Sequence, residues 1–122
     1  MDISRIEDMK GGWFAGNFEP SAWKTEAFEV AVHDYKKGEE KEAHYHKLGT
    51  EINLLLEGKF ILRNYDGKGT DQELVKGDVF IIHPYEIADP LFVEDCKIVV
   101  VKTPSVQGDK YLVEWLVYLE KI

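Results

Sequence analysis

Short apolar runs alternate with glycine- and proline-marked turns along most of the chain. "FEVAVHDY" (28–35) alternates and is rich in aromatic and β-branched residues, as a half-buried strand requires. "EINLLLEGKFILRNY" (51–65) predicts two strands joined at Glu57-Gly58, and "YDGKGTDQ" (65–72) a hairpin loop with an Asp-Gly turn. "QELVKGDVFIIH" (72–83) predicts two more strands around a turn at Lys76-Gly77-Asp78, and "CKIVVVKTP" (96–104) a buried strand that stops at Pro104. Many short strands at close spacing predict an all-β sandwich or barrel.

The two ends read differently. "GGWFAGNFEPSAWKTE" (11–26) is aromatic without a clear period, and is expected to wrap the barrel or pair as an edge strand. "DKYLVEWLVYLEKI" (109–122) places Lys110, Glu114, Tyr118 and Lys121 at helical intervals. That pattern predicts a short C-terminal helix with Asp109 as N-cap. The alternative is a last strand followed by a tail. The stretch 102–111 either links into this element or covers the barrel mouth.

At 122 residues and 44% hydrophobic content the chain suits a single domain, 1–122, with a core over about 28–104, an N-terminal arm (1–27) and a C-terminal extension (105–122). A net charge of -8 argues against nucleic acid or an anionic membrane surface as partner. The lone Cys96 cannot form an intramolecular disulfide and reads as a structural thiol. No signal peptide opens the chain and no apolar run spans a bilayer, so a cytoplasmic location is expected.

The chemistry concentrates in "GEEKEAHYHKLGTE" (38–51). On a strand His44 and His46 share a face, and the glycine after them lets the chain bend so that Glu51 can return to it. Two imidazoles and one carboxylate can hold a divalent metal with positions left open. The competing reading is a His-Tyr-His on a solvated edge strand.

Gly38, five residues, His44, one residue, His46, four residues, Glu51, six residues, Gly58: this spacing resembles the first motif of the cupin superfamily. "GDVFIIHPY" (77–85) is similar to the start of the second. The resemblance implies an all-β double-stranded β-helix, a jelly-roll barrel with one divalent metal ion (Fe, Mn, Ni, Cu or Zn) in its mouth on His44, His46 and Glu51. The family's second motif usually adds a third histidine, but that position falls on Ala88 or Asp89 here. The ligand set is therefore three residues, or three plus Asp89.

Strand parity turns Asn53 inward with Glu51, as a polar group in a small-molecule pocket. His83 at a strand end and Tyr85 on the following loop are further pocket candidates, whereas His33 beside Asp34 reads as surface. The expected function is binding of, or action on, a small polar organic molecule, by dioxygenation or by sugar isomerisation or epimerisation. The alternatives are a non-catalytic ligand-binding module with weak or no metal, and a partner protein that docks through its C-terminal helix. A homodimer is expected because Trp115, Leu116 and Leu119, with Trp13, Phe14 and Phe18, offer more apolar surface than one small barrel hides.

Overall fold

The protein is described here by a computed structural model over residues 1–113. After a short 3₁₀ turn (Ile6–Asp8), eleven strands follow in the described residues: β1 (Trp13–Gly16), β2 (Trp23–Lys24), β3 (Glu29–Tyr35), β4 (His44–Tyr45), β5 (Thr50–Glu57), β6 (Lys59–Leu62), β7 (Gln72–Val75), β8 (Val79–Ile82), β9 (Pro90–Phe92), β10 (Cys96–Thr103) and β11 (Tyr111–Leu112).

One layer is a six-stranded sheet in the order β2-β1-β3-β10-β5-β8. The aromatic N-terminal segment therefore joins the sheet edge through β1 and β2. The facing layer is built from β7-β6-β9 and β11-β4, joined by bridges from Glu40 to Leu91 and from His44 to Ala88. The junction at Glu57-Gly58 takes the chain from one layer to the other, so β5 and β6 lie in different sheets.

Period-two burial produces this arrangement. Along β10, Cys96, Ile98, Val100 and Lys102 are buried and the residues between them face outward. The core joins Leu55, Phe60, Leu74, Phe92, Cys96, Ile98 and Val100 across the two layers. Phe60 packs between Phe80 and Phe92 with tilted rings, at centroid separations of 5.5 and 5.3 Å. Burying such a ring contributes roughly 1.5–3 kcal/mol.

The expected C-terminal helix does not begin at Asp109. Tyr111 and Leu112 instead pair antiparallel with Tyr45 and His44. Tyr111 stacks on Tyr45 at 5.4 Å and under the Lys47 ammonium at 4.2 Å. These cross-strand partners are absent from a local sequence window, which is why the helical spacing misled for 109–113. The rest of the expected helix, with Trp115, Leu116 and Leu119, lies outside the described residues.

Candidate metal centre

His44 and His46 flank Tyr45 on and just after β4, and Glu51 enters from β5 after a tight loop over 47–49. One donor atom from each of the three lies within 4.8 Å of the others. His46 Nε2 and Glu51 Oε1 are 2.9 Å apart. That separation matches neighbouring ligands on one cation, since bonds of about 2.1 Å at right angles put donors about 2.9 Å apart.

Each histidine has its other nitrogen committed. His44 Nδ1 donates to the Glu42 carbonyl at 3.1 Å, and His46 Nδ1 to the Asp109 carbonyl at 2.7 Å. Both rings thereby present Nε2 to the shared point, the tautomer that a metal-binding histidine needs. Burial lowers the pKa of His44 and outweighs the Glu42 hydrogen bond and the Glu51 charge, which raise it. Its imidazole is neutral and ready to ligate at neutral pH. Burial alone would raise Glu51, but the His46 hydrogen bond and the charges of His46, His44 and Lys102 together hold its carboxyl below the usual range. Two neutral-capable imidazoles and an ionised carboxylate fit a divalent cation of the Fe, Mn, Ni, Cu or Zn group.

Asp109 organises this corner, and sequence reading assigned it a different task. Its carboxylate accepts the backbone N–H groups of Lys47, Leu48 and Gly49, at 2.8–3.2 Å. It is thus a cap, but for the loop between two ligands rather than for a helix. Burial works against this carboxylate, yet the three amides pull its pKa below normal.

The site opens into a cavity of about 340 Å³, a size suited to a small molecule. Its floor is apolar, formed by Phe60, Phe80, Phe92 and Ile98 among others. Asn53 lines it as parity predicted, buried and donating weakly to the Phe80 carbonyl at 3.5 Å.

Three of the other expected pocket residues are elsewhere. His83 is exposed and outside the cavity lining, on a turn where its own N–H donates to Glu86. Tyr85 is 66% exposed and leans on Tyr45. Asp89 is buried, but its Oδ1 accepts from Arg63 Nη2 at 2.8 Å, and it is absent from the donor cluster. The residue after Ala88 turns away because Ala88 itself faces the cavity and neighbours on an extended chain alternate.

The converse error concerns His33, which faces the cavity rather than solvent. It packs edge-on to Trp13 at 5.3 Å, and its pKa is lowered, by burial first and by the Lys41 charge second. Tyr35, next inward on β3, has its phenol raised to about 12 by burial and by the charges of Glu51 and Glu39. Lys102 was also missed, although it shares parity with buried Ile98 and Val100; its ammonium lies 2.8 Å from Glu29 Oε1 in a buried pair. The signal for all three was the strand period, overridden by their polarity.

No family model matches the chain, and no curated protein matches it. Solved structures do. A Klebsiella pneumoniae protein with a double-stranded β-helix domain superposes with TM-score 0.65, at 25% identity over 74% of this chain and 73% of its own. This chain has the double-stranded β-helix fold. An RmlC-like cupin from Desulfovibrio desulfuricans gives TM-score 0.58 at 23% identity, over 67% of this chain and 76% of its own. KdgF from Halomonas sp. gives 0.60 at 18% identity, over 68% and 74%. In this chain the motif spacing from Gly38 to Gly58 spans β4, the 47–49 loop and β5, and so delivers all three candidate ligands to one point. No helix among the described residues is long and apolar enough to cross a membrane.

Proposed function

We propose that this cupin binds one divalent metal ion through His44 Nε2, His46 Nε2 and a Glu51 carboxylate oxygen, and binds or transforms a small polar organic molecule in the adjoining cavity. One observation carries the reading: three donors converge while each histidine spends its Nδ1 proton on a backbone carbonyl. A metal held there supplies Lewis-acid polarisation of a carbonyl or a place for dioxygen. The chain's own contribution is to exclude water over the apolar floor and to offer uncharged polar groups, the Asn53 amide, the His33 imidazole and the protonated Tyr35 phenol. Sugar isomerisation or epimerisation and dioxygenation are the two reactions this set accommodates.

A binding module without turnover is the second reading. It is favoured by the engagement of Asp89 with Arg63, which leaves the cluster at three protein ligands among the described residues.

Elemental analysis of untagged protein tests the proposal. About one equivalent of Fe, Mn, Ni, Cu or Zn is expected, lost in His44→Ala and in Glu51→Ala. Absence of metal from the wild type both as purified and after reconstitution overturns it. Oxygen uptake or sugar isomerisation that follows metal content separates the enzyme from the module.

The expected homodimer has a surface to use. Ile52 lies opposite Ile81 and Leu54 opposite Val79 on the outward face of the large sheet, beside Val99 and Val101. Ile52 and Ile81 are 43% exposed and Val79 is 65% exposed. Copies of a chain with net charge -8 repel one another, and this patch is uncharged, so it is where a second copy can approach. Sedimentation is expected to show a dimer that Ile81→Lys dissociates; a 14.1 kDa species alone at micromolar concentration overturns the assignment.

A further inference from the structure

The cavity lining carries three lysines and three carboxylates in a chain that is acidic as a whole. Lys41, Lys102 and Lys110 all line it, as do the carboxylates of Glu29, Glu51 and Asp109. The carboxylates are each engaged. Glu29 pairs with Lys102 at 2.8 Å, Glu51 with His46 at 2.9 Å, and Asp109 with three backbone N–H groups. Lys41 and Lys110 are left over. Among the described residues neither ammonium has a carboxylate within 4.0 Å. Lys41 instead lies 5.5 Å from the ring centroid of Tyr35.

These two cations come from separate parts of the chain, one before β4 and one before β11; β4 and β11 pair antiparallel, so the two lysines flank opposite ends of that short ladder, and both line the cavity. Surface lysines ordinarily point away from each other into water. Here burial lowers the pKa of Lys110 and the charge of Lys41 lowers it further, so the two ammonium groups feel one another at the cavity. A divalent metal on His44, His46 and Glu51 would add to the same positive field.

We infer that Lys41 and Lys110 form the anion-recognition element of this cavity, and that its ligand is a small organic oxyanion, a carboxylate or phosphate with an apolar portion. The charged end meets the two lysines by charge-assisted hydrogen bonds, and the apolar portion lies over the phenylalanine floor. This rests on the metal-cupin reading for its context, but the lysine pair is independent of the ligands. An oxyanion also suits an acidic protein for a kinetic reason. Two lysines without a carboxylate partner among the described residues, at the mouth of an otherwise negative surface, direct anions to that one place, an effect that salt weakens.

Isothermal titration with malonate, its uncharged counterpart malonamide, and inorganic phosphate tests the inference on zinc-loaded and metal-free protein. Malonate is expected to bind the wild type and malonamide to bind at least about tenfold more weakly. Lys41→Met and Lys110→Met are each expected to weaken malonate about five- to tenfold, with unchanged melting temperature and zinc stoichiometry. Raised NaCl should narrow that difference. Equal malonate affinity in the wild type and in the double variant, with zinc still bound, overturns the anion site and leaves the metal reading standing. Lysine-dependent malonate binding in a protein that takes up no zinc does the opposite. Phosphate that binds more tightly than malonate with the same lysine dependence supports the site and identifies its ligands as phosphorylated molecules.

Discussion

His46 Nδ1 lies 2.7 Å from the backbone carbonyl of Asp109, a residue 63 positions later in the chain. The same residue's carboxylate gathers the N–H groups of Lys47, Leu48 and Gly49. One residue thus orients a candidate ligand and anchors the loop that leads to the next. Asp109→Ala is expected to cost about 1–3 kcal/mol in denaturant unfolding, because buried amides lose their acceptor. It is also expected to weaken metal binding about 10- to 100-fold, because the freed 47–49 loop no longer fixes Glu51 against His46 and the Asp109 backbone carbonyl. Asp109→Asn, which keeps one carbonyl acceptor, should fall between. Lost stability with metal affinity intact would restrict Asp109 to loop anchoring.

Acid should destabilise the metal-free protein in two stages. His33 and His44 have pKa values lowered from 6.5 chiefly by burial. The unfolded chain therefore takes up protons before the folded one, and stability falls as pH drops below about 6.5. Glu51 and Asp109 are lowered from 4.5 and 3.8, their hydrogen bonds and neighbouring charges outweighing burial. Their contribution is complete above those unfolded values and disappears as pH falls through the lower folded ones. Melting temperature measured with chelator present should be flat from about pH 6.5 to about pH 8, decline below that range and decline again below about 4.5. His33→Gln should reduce the first stage, and Glu51→Gln the second.

The two glycines that frame the motif should respond differently to a methyl group. Gly58 has φ +89°, and a Cβ there would lie 2.1 Å from the Asp95 carbonyl oxygen. Gly38 has φ +82° with nothing within 4 Å. Gly38→Ala bears only the backbone penalty of about 1–2 kcal/mol. Gly58→Ala must also move β10's leading turn out of the way, so it should cost well over the Gly38 change and raise the insoluble fraction. Equal effects in thermal unfolding would contradict this account.

Asp89→Asn should leave metal stoichiometry unchanged while lowering stability. Its partner is the Arg63 guanidinium rather than a metal at the barrel mouth, and the pair lies 2.8 Å apart with Asp89 buried. Breaking a buried ion pair typically costs about 3–5 kcal/mol, and an amide that retains one acceptor should cost less. Loss of metal in this variant, at unchanged fold, would return Asp89 to the ligand set.

Local pattern was enough for β3, β5, β6, β7, β8 and β10, because period-two burial and glycine turns are properties of a few neighbouring residues. It was also enough for His44, His46 and Glu51, whose convergence needs only a same-face pair and one bend, and for Asn53, which follows Glu51 by parity. The remainder depended on partners distant in the chain. Tyr111 is a strand residue because Tyr45 is beside it, and Asp109 caps a loop because β4 and β11 pair. Asp89 turns from the candidate metal site because Arg63 waits on the other side. His33 and Lys102 are polar residues that composition assigns to the surface, and only the closed barrel, with Trp13 and Glu29 packed against them, makes the interior their place. A short-range rule sees spacing and polarity. Which buried group meets which partner is an outcome of chain closure, and in this chain that outcome decides what surrounds the three candidate ligands.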